Sequence, residues 1–413
     1  MIRLLFDLGL FGLLTSTVAA LLALAGLVHF RRNPPRLSYK GAEGAPAVEP
    51  VLSALEEATP VSLLKPLDGA EPGLEAHLES FFCQDYPNFE ILFCARSPFD
   101  PGLGIARRVA ARFPQIPARF LSTGEHTHIN AKVSSLELMH AAAQHDIFVI
   151  SDSDVRVAPG YIREVVAPFA NQNVGSVTCL YRGVADGSFW SKLEAAGMSV
   201  EMTAGVLTAN LLEGMKFALG PTMAVRRRSV DLMGGFGVLG PYCSDDFLLG
   251  AKVAALGQTV VLSHHVIDHI VLNLSFAASV RHQTRWMKST RFSRPLGHLG
   301  TALTFSVPFG LLAAITGWAL HRPILGLALF AFSIANRMIL AALVGAGAVH
   351  ERRLLRTVLL YPVRDLLGFC CWVASYGSST IFWRGRRYRL SHNGLMHPLD
   401  TQPSEEAEHA YTT

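Results

Sequence analysis

Two carboxylates one residue apart, Asp152 and Asp154 in Asp152-Ser153-Asp154, follow directly on the apolar run Ile147-Phe148-Val149-Ile150. Four consecutive apolar residues suit a strand covered on both faces of a parallel sheet. Ligands of open α/β sheets bind at the carboxyl ends of such strands. Two hard oxygen ligands placed there suit a divalent cation carrying a diphosphate; the plainer reading is an acidic turn. A second acidic pair, Asp245-Asp246, opens a helical pattern that runs to Leu256, where the helix dipole favours negative charge. Capping accounts for Asp245. For Asp246 the functional reading is a general base, kept because it accompanies a separate Asp-x-Asp.

Other stretches carry weaker chemistry. Gly235-Phe236-Gly237-Val238-Leu239-Gly240 fits G-x-G-x-x-G, but a helical pattern precedes it where the dinucleotide fingerprint needs a strand. It reads as a mobile loop leading to Asp246. His264, His265, Asp268 and His269 follow a strand predicted over Thr259 to Leu262. Their offsets scatter the side chains over both faces, so a zinc site is disfavoured, and one histidine aiding the Asp-x-Asp metal is the most they support. His126 and His128 read as loop residues. The segment Arg281-His282-Gln283-Thr284-Arg285-Trp286-Met287-Lys288 mixes cations with one Trp, as an amphipathic segment on a bilayer surface does. Within it, Arg285 suits a phosphate and Trp286 a sugar or acceptor face.

The elements that must position these residues alternate. Short strands are predicted at Val61 to Leu64, Phe89 to Ala95, Ala118 to Ser122 and Ile147 to Ile150. Helical patterns lie between them, near Leu74 to Phe82, Gly102 to Phe113 and Asn130 to Gln144. Such alternation implies βαβ units and a mostly parallel sheet flanked by helices. The chain has 413 residues, 50% of them hydrophobic, and its mean hydropathy of +0.31 is too apolar for a purely soluble enzyme. The excess sits at the ends. Leu8 to Val28 is long enough to span a bilayer, and Arg31, Arg32 and Arg36 behind it place the following chain in the cytoplasm. Further apolar runs cover Thr301 to Leu320, Ile324 to Val349 and Leu366 to Trp383. Four crossings would put the basic tail Arg384-Gly385-Arg386-Arg387-Tyr388-Arg389 outside, against its charge. Either the last run re-enters without crossing or topology overrides the charge rule. The expected divisions are an N-terminal anchor (1–32), a linker (33–60), a cytoplasmic catalytic domain (61–295), a C-terminal membrane domain (296–390) and a flexible tail (391–413). Six cysteines show no zinc spacing and suit a reduced compartment. The net charge is only +4, with the basic residues near the membrane runs. That points to anionic headgroups and away from nucleic acid.

In order along the chain, Leu64-Lys65-Pro66-Leu67, Gln84-Asp85-Tyr86-Pro87, Asn130-Ala131-Lys132, Asp152-Ser153-Asp154, Asp245-Asp246 and Arg285-Trp286 resemble the ceramide glucosyltransferase family. The Trp383 to Arg389 tail is similar too, as are the related hopanoid-pathway glycosyltransferases. The resemblance runs from about Val61 to Leu390. It implies a GT-A fold that adds one sugar with inversion. By position, Asp152 and Asp154 would hold Mg²⁺ or Mn²⁺ against the diphosphate of a UDP-sugar, and Asp246 would deprotonate a lipid hydroxyl. Lys65, Asp100, Lys132 and Asp152 would serve the donor, while Arg285 and Trp286 would close the signature. Two positions depart from the pattern: Ser97 stands where the family has a nucleotide-associated aspartate, with Asp100 nearby, and His282 stands where it has Gln or Arg.

These pieces imply a membrane-bound hexosyltransferase moving a sugar, glucose by resemblance, to a lipid such as ceramide. The alternative acceptor is a hopanoid, with a donor such as UDP-N-acetylglucosamine. A lipid cannot leave the bilayer cheaply, since each exposed CH₂ costs about 0.8 kcal/mol. Two rivals are a membrane-anchored binding protein that has lost catalysis, favoured by Ser97 and His282, and a processive polysaccharide synthase. The second lacks apolar runs enough to build a channel.

Overall fold

The computed structural model describes residues 1–34, 59–272, 275–383 and 386–399. Most of the linker expected at 33–60 and of the tail expected at 391–413 lies outside the described residues. The chain divides into two compact units. One comprises Asn33–Tyr181 and Met215–Ile270; the other comprises Met1–Arg32, Arg182–Gly214 and Val271–Thr413.

The first unit is built on an eight-stranded sheet. In chain order its strands are β1 (Val61–Pro66), β2 (Phe89–Ala95), β3 (Ala118–Ser122), β4 (Ile147–Ile150), β5 (Val155–Arg156), β6 (Val174–Ala185), β7 (Met223–Arg226) and β8 (Thr259–Val271). They lie in the order β3-β2-β1-β4-β7-β6-β8-β5. β1 pairs parallel with β2 and β4, and β2 with β3. The expected helices fill the crossovers, at Leu74–Phe82, Pro101–Ala110 and Ala131–Ala142. Leu63, Leu64, Ile91, Leu92, Phe93, Phe148 and Val149 are fully buried between the layers, as strands covered on both faces require. The α/β class expected of a GT-A domain is therefore present.

Register explains where the chemistry sits. Leu64 of β1 lies opposite Ile150 of β4, so Lys65, one residue on in β1, and Asp152, just past the end of β4, come to the same edge of the sheet. β7 runs antiparallel to β4 with Met223 opposite Ile150, so the turn entering β7 arrives at that same edge. The sequence reading did not foresee β6 and β7. It also stopped β8 at Leu262, whereas the strand continues to Val271 and contains His264, His265, Asp268 and His269. Nor is 235–240 an open loop: Phe236–Leu239 forms a 3₁₀ turn with Phe236 and Leu239 fully buried. Phe236 packs its ring against His140 and Phe148, and that contact anchors the turn.

In the second unit, three helices are long and apolar enough to cross a membrane: Ile2–Arg32, Pro323–Gly347 and Leu354–Ala374. A bent pair, Pro295–Thr304 with Val307–Ala319, turns by 50° at its break and counts as a fourth when taken as one span. Phe309 fills the space where a side chain at Gly12 would stand, so Gly12 lets Ile2–Arg32 approach Val307–Ala319 closely. The last apolar run is not one helix. It is helical only to Ala374, its helix begins at Leu354, and Thr380–Trp383 is strand β9. The small polar stretch Ser375-Tyr376-Gly377-Ser378-Ser379 breaks it. β9 pairs antiparallel with β10 (Arg386–Leu390), and β10 with β11 (Met396–Pro398). This small sheet is tied to the helix Phe276–Ser293 through Lys288 Nζ, which donates to Ser378 Oγ (2.9 Å) and to the Thr380 carbonyl (2.7 Å).

Candidate active site

At the β1/β4 edge, acidic side chains gather around two lysines. Lys65 is fully buried; its Nζ donates to the Asp152 carbonyl (2.5 Å) and lies 3.8 Å above the Phe81 ring. Burial pulls its ammonium down to about 7, against the attraction of Asp152, Asp154 and Glu71. Lys132, in the first turn of Ala131–Ala142, places Nζ 2.7 Å from Asp152 Oδ1 and 3.6 Å from Asp245 Oδ2. Burial opposes its charge, but the Asp152 and Asp245 carboxylates outweigh that and hold it above the usual lysine range. Asn130 caps that helix by accepting from Lys132 N (3.1 Å), and its Nδ2 donates to Asp245 Oδ1 (3.1 Å). The Asn130-Ala131-Lys132 motif thus joins the two acidic pairs.

Asp246 accepts from Phe247 N (2.7 Å) and from Gly220 N (2.9 Å). Burial and the neighbouring Asp245 charge push its carboxyl up to about 6. Gly220 lies in the turn entering β7. A side-chain carbon there would stand 3.2 Å from Asp246 Oδ2 and 3.5 Å from Asp152 Oδ2, so the two carboxylates flank one bare backbone position. Thr178 holds this turn from β6, its hydroxyl donating to the Thr222 carbonyl (2.7 Å) and accepting from Leu219 N (2.9 Å).

Asp154 is kept ionised despite burial: His269 Nε2 lies 2.9 Å from its Oδ2, and the His269 charge and hydrogen bond lower its pKa. Its Oδ1 is buried with no hydrogen-bond partner among the described residues. Such an orphaned oxygen costs stability unless a ligand meets it. Among the described residues, no three His, Cys, Asp or Glu side chains are grouped to hold a metal ion. Asp152 and Asp154 offer hard carboxylate oxygens, the donor type that a Mg²⁺- or Mn²⁺-type ion takes.

The remaining expected residues have defined places. Asp100 caps Pro101–Ala110, its Oδ1 accepting from Gly102 N (2.7 Å) and its Oδ2 from Gly69 N (3.1 Å). It borders a cavity of about 430 Å³ lined also by Ala70, Phe99, Gly104, Arg107 and Arg108. Ser97 accepts from Phe99 N (3.2 Å). Arg285 and Trp286 belong to the second unit, on the helix Phe276–Ser293. There His282 packs its ring 4.3 Å from that of Trp286 and sets Nδ1 2.7 Å from Glu194 Oε1. Two contributors escaped the sequence reading. Gly220 carried only the turn signal of Gly-Pro, and Glu71, which accepts from Ser153 Oγ (3.0 Å), carried none.

The profile described as glycosyl transferase family 21 matches residues 18–396. The chain is 24% identical to ceramide glucosyltransferase 1 of Caenorhabditis elegans over 340 residues, covering 81% of this chain and 72% of the relative. It is 39% identical to the ceramide glucosyltransferase of Komagataella phaffii over 110 residues, 26% of this chain and 22% of that one. Among solved structures, the mannosyltransferase PcManGT from Pyrobaculum calidifontis, in complex with GDP-Man and Mn²⁺, aligns with a TM-score of 0.49 and 18% identity. That alignment covers 89% of this chain and 99% of the other.

Two outcomes follow from this geometry. Gly220 has no positive φ, so Gly220→Ala leaves the backbone unstrained but crowds the gap between Asp152 and Asp246. Thermal stability should stay near wild type while kcat falls by about tenfold, the scale of a small misplacement at a reacting centre; unchanged kcat removes the gap from the site. Second, a base with a pKa of about 6 is protonated and inactive below that value. The pH profile of kcat/KM should climb through about pH 6 and then level. Asp246→Asn should abolish that limb and lower kcat by roughly 10²-fold or more. A wild-type profile in Asp246→Asn, or loss in Asp245→Asn alone, assigns the base elsewhere.

Proposed function

We propose the following reaction for this chain, which belongs to glycosyl transferase family 21: transfer of glucose from UDP-glucose to the primary hydroxyl of ceramide, with inversion. The chain is a membrane-associated hexosyltransferase. The observation that carries the mechanism is that Asp152 and Asp246 both lie beside Gly220, one paired with Lys132 and the other raised to about 6. Ceramide and glucose are supported by the ceramide glucosyltransferases matched over most of the chain. Asp246 takes the hydroxyl proton as the new bond to the anomeric carbon forms. The bond from that carbon to the phosphate oxygen breaks on the opposite side, and the nucleoside diphosphate leaves.

Asp152 and Asp154 would hold the divalent cation, which when bound neutralises charge building on the departing diphosphate. Lys132 adds positive charge beside Asp152, and Lys65 fixes the turn that presents both carboxylates. The cavity beside Asp100, with exposed Phe99 at its rim, is the place we assign to the nucleoside. For Arg285 and Trp286 we keep the phosphate and acceptor roles that the family resemblance implies. The catalytic segment is 61–295, between the anchor 1–32 and the membrane domain 296–390.

We place the catalytic segment in the cytoplasm with three membrane crossings. The helix Ile2–Arg32 serves as a depth gauge. Gly9 lies against Ala313, Ser16 accepts from Arg337 (3.3 Å), and Gly347 lies against Leu27. Pro323–Gly347 therefore returns toward Arg32. Leu354–Ala374 begins just after Val349 and His350, whose carbonyls accept from Arg182 (2.9 Å each). It reaches mid-depth at Asp365, which accepts from Ser306 N (2.9 Å) and Val307 N (2.8 Å). It then comes back: Trp372 Nε1 donates to the His298 carbonyl (2.8 Å), and Arg291 to that of Ser375 (2.7 Å). Arg291 lies on the polar helix Phe276–Ser293, so the last helix re-enters, and the basic strand β10 stays with Arg31 and Arg32 as its charge favours.

The test of substrate is expression in a host lacking both ceramide and hopanoids, with each acceptor supplied alongside a panel of UDP-sugars and the lipids read by mass spectrometry. Hexosyl-ceramide is expected, and EDTA should abolish it. An N-acetylhexosamine-bearing hopanoid without glycosylated ceramide would replace the acceptor, and full activity in chelator would remove the metal. For topology, a cysteine introduced at His397 in a cysteine-free background should react with a membrane-impermeant maleimide only after the cells are opened. Labelling of intact cells would mean that the last helix crosses.

A further inference from the structure

The helix Leu354–Ala374 turns two unlike faces outward and inward. Its protein-facing side carries Thr357, Tyr361, Arg364 and Asp365, all buried. Its free side carries Leu355, Leu359 and Val363, which are 73%, 57% and 51% exposed. At its first turns this apolar face meets Phe189 and Lys192 to form a cavity of about 450 Å³, lined by Phe189, Lys192, Leu355, Arg356, Leu359 and Leu360. Two cations border an otherwise apolar groove. Arg356 buries its Nε and NH1 atoms with no hydrogen-bond partner. Among the described residues, neither it nor Lys192 is in a salt bridge. Glu351, the acid nearest in sequence, is engaged elsewhere: Oε1 accepts from Arg353 N (3.0 Å) and Oε2 from Ser199 Oγ (2.9 Å). Glu351 attracts this guanidinium without hydrogen-bonding to it, and a buried donor without a partner is costly.

The depth of the groove fits a lipid. It opens just beyond His350, where Pro323–Gly347 has returned to the level of Leu27 and the basic Arg31-Arg32 end. Beside it lies an aromatic group in which Phe189 and Trp190 rings are 5.1 Å apart and Trp190 and Phe276 rings 4.8 Å apart. Aromatic clusters of this kind sit at the headgroup level of a bilayer. We propose that this groove binds one anionic phospholipid, its phosphate on Arg356 and Lys192 and an acyl chain along Leu355, Leu359 and Phe189. The site is separate from the acceptor reading above, since ceramide carries no phosphate and no charge.

The test uses the full chain, purified in detergent, stripped of lipid and offered an equimolar mixture of phosphatidylglycerol and phosphatidylcholine with matched chains. Native mass spectrometry counts what is retained. Wild type should keep one phosphatidylglycerol with a preference of roughly tenfold or more, the scale of two cations at a headgroup. Arg356→Gln with Lys192→Gln should lose that preference, while Arg353→Gln, an exposed charge in the same run, should keep it. Leu359→Trp fills the groove without touching charge and should also lose the lipid, so the result does not hang on one variant. Equal retention of both lipids, equal loss in Arg353→Gln, or displacement by inorganic phosphate alone would each overturn the proposal.

Discussion

Lys132 stands between the two acidic pairs, and the arrangement of the catalytic edge depends on that placement. Glu71, Asp152, Asp154, Asp245 and Asp246 converge at the end of β4. Like charges a few ångströms apart cost several kcal/mol at a protein surface, on the order of 4 kcal/mol at 4 Å with an effective dielectric of 20. Lys132 offsets this for Asp152 and Asp245, and His269 does so for Asp154. Asp246 is left with two backbone donors and a charged neighbour, and its proton affinity rises. Carboxylates that look alike in the sequence are thereby sorted: the pKa of Asp154 is lowered and that of Asp246 is raised.

The membrane unit solves a related problem. Arg337 is almost fully buried, and its guanidinium donates to the Thr304 carbonyl (2.7 Å) and faces Asp365 at 3.5 Å. Charge at such depth persists only when paired and hydrogen-bonded. Asp365 has a second task, accepting from two backbone N–H groups at the break between Thr304 and Val307. A helix that starts inside a bilayer needs these donors satisfied. The bend in the apolar pair and the last helix thus share one carboxylate.

The parallel half of the sheet was legible because each of β1 to β4 is a short apolar run followed by a helical pattern. The antiparallel half was not. β7 is the four residues Met223–Arg226, with no alternation to announce it, and its partner β6 pairs with it from far away in the chain. Missing β7 meant missing Gly220, since only the antiparallel register brings that turn to Asp152. β8 was cut short because its histidines were placed after the strand, although their scatter over both faces is that of the strand's own continuation. One of those histidines, His269, sets Nε2 2.9 Å from Asp154 Oδ2. For the last apolar run, hydropathy continued through a Gly- and Ser-rich break that ends the helix, so composition alone merged a helix with a strand.

The same structure bears on the rival reading of a scaffold that has lost catalysis. Ser97 and His282 were its support, and both are absorbed locally, Ser97 by Phe99 N and His282 by Glu194 and the Trp286 ring. Asp100 uses both its oxygens to hold backbone N–H groups at the edge of its cavity. The acidic edge costs stability that a scaffold has no reason to bear. Asp154 buries an oxygen without a partner, and Asp246 keeps a carboxyl where burial penalises its charge. An uncompensated buried acceptor costs about 1–3 kcal/mol, and apolar or amide replacements at either place would relieve it. Both liabilities sit beside Gly220, where a side-chain carbon would crowd Asp246 Oδ2 at 3.2 Å.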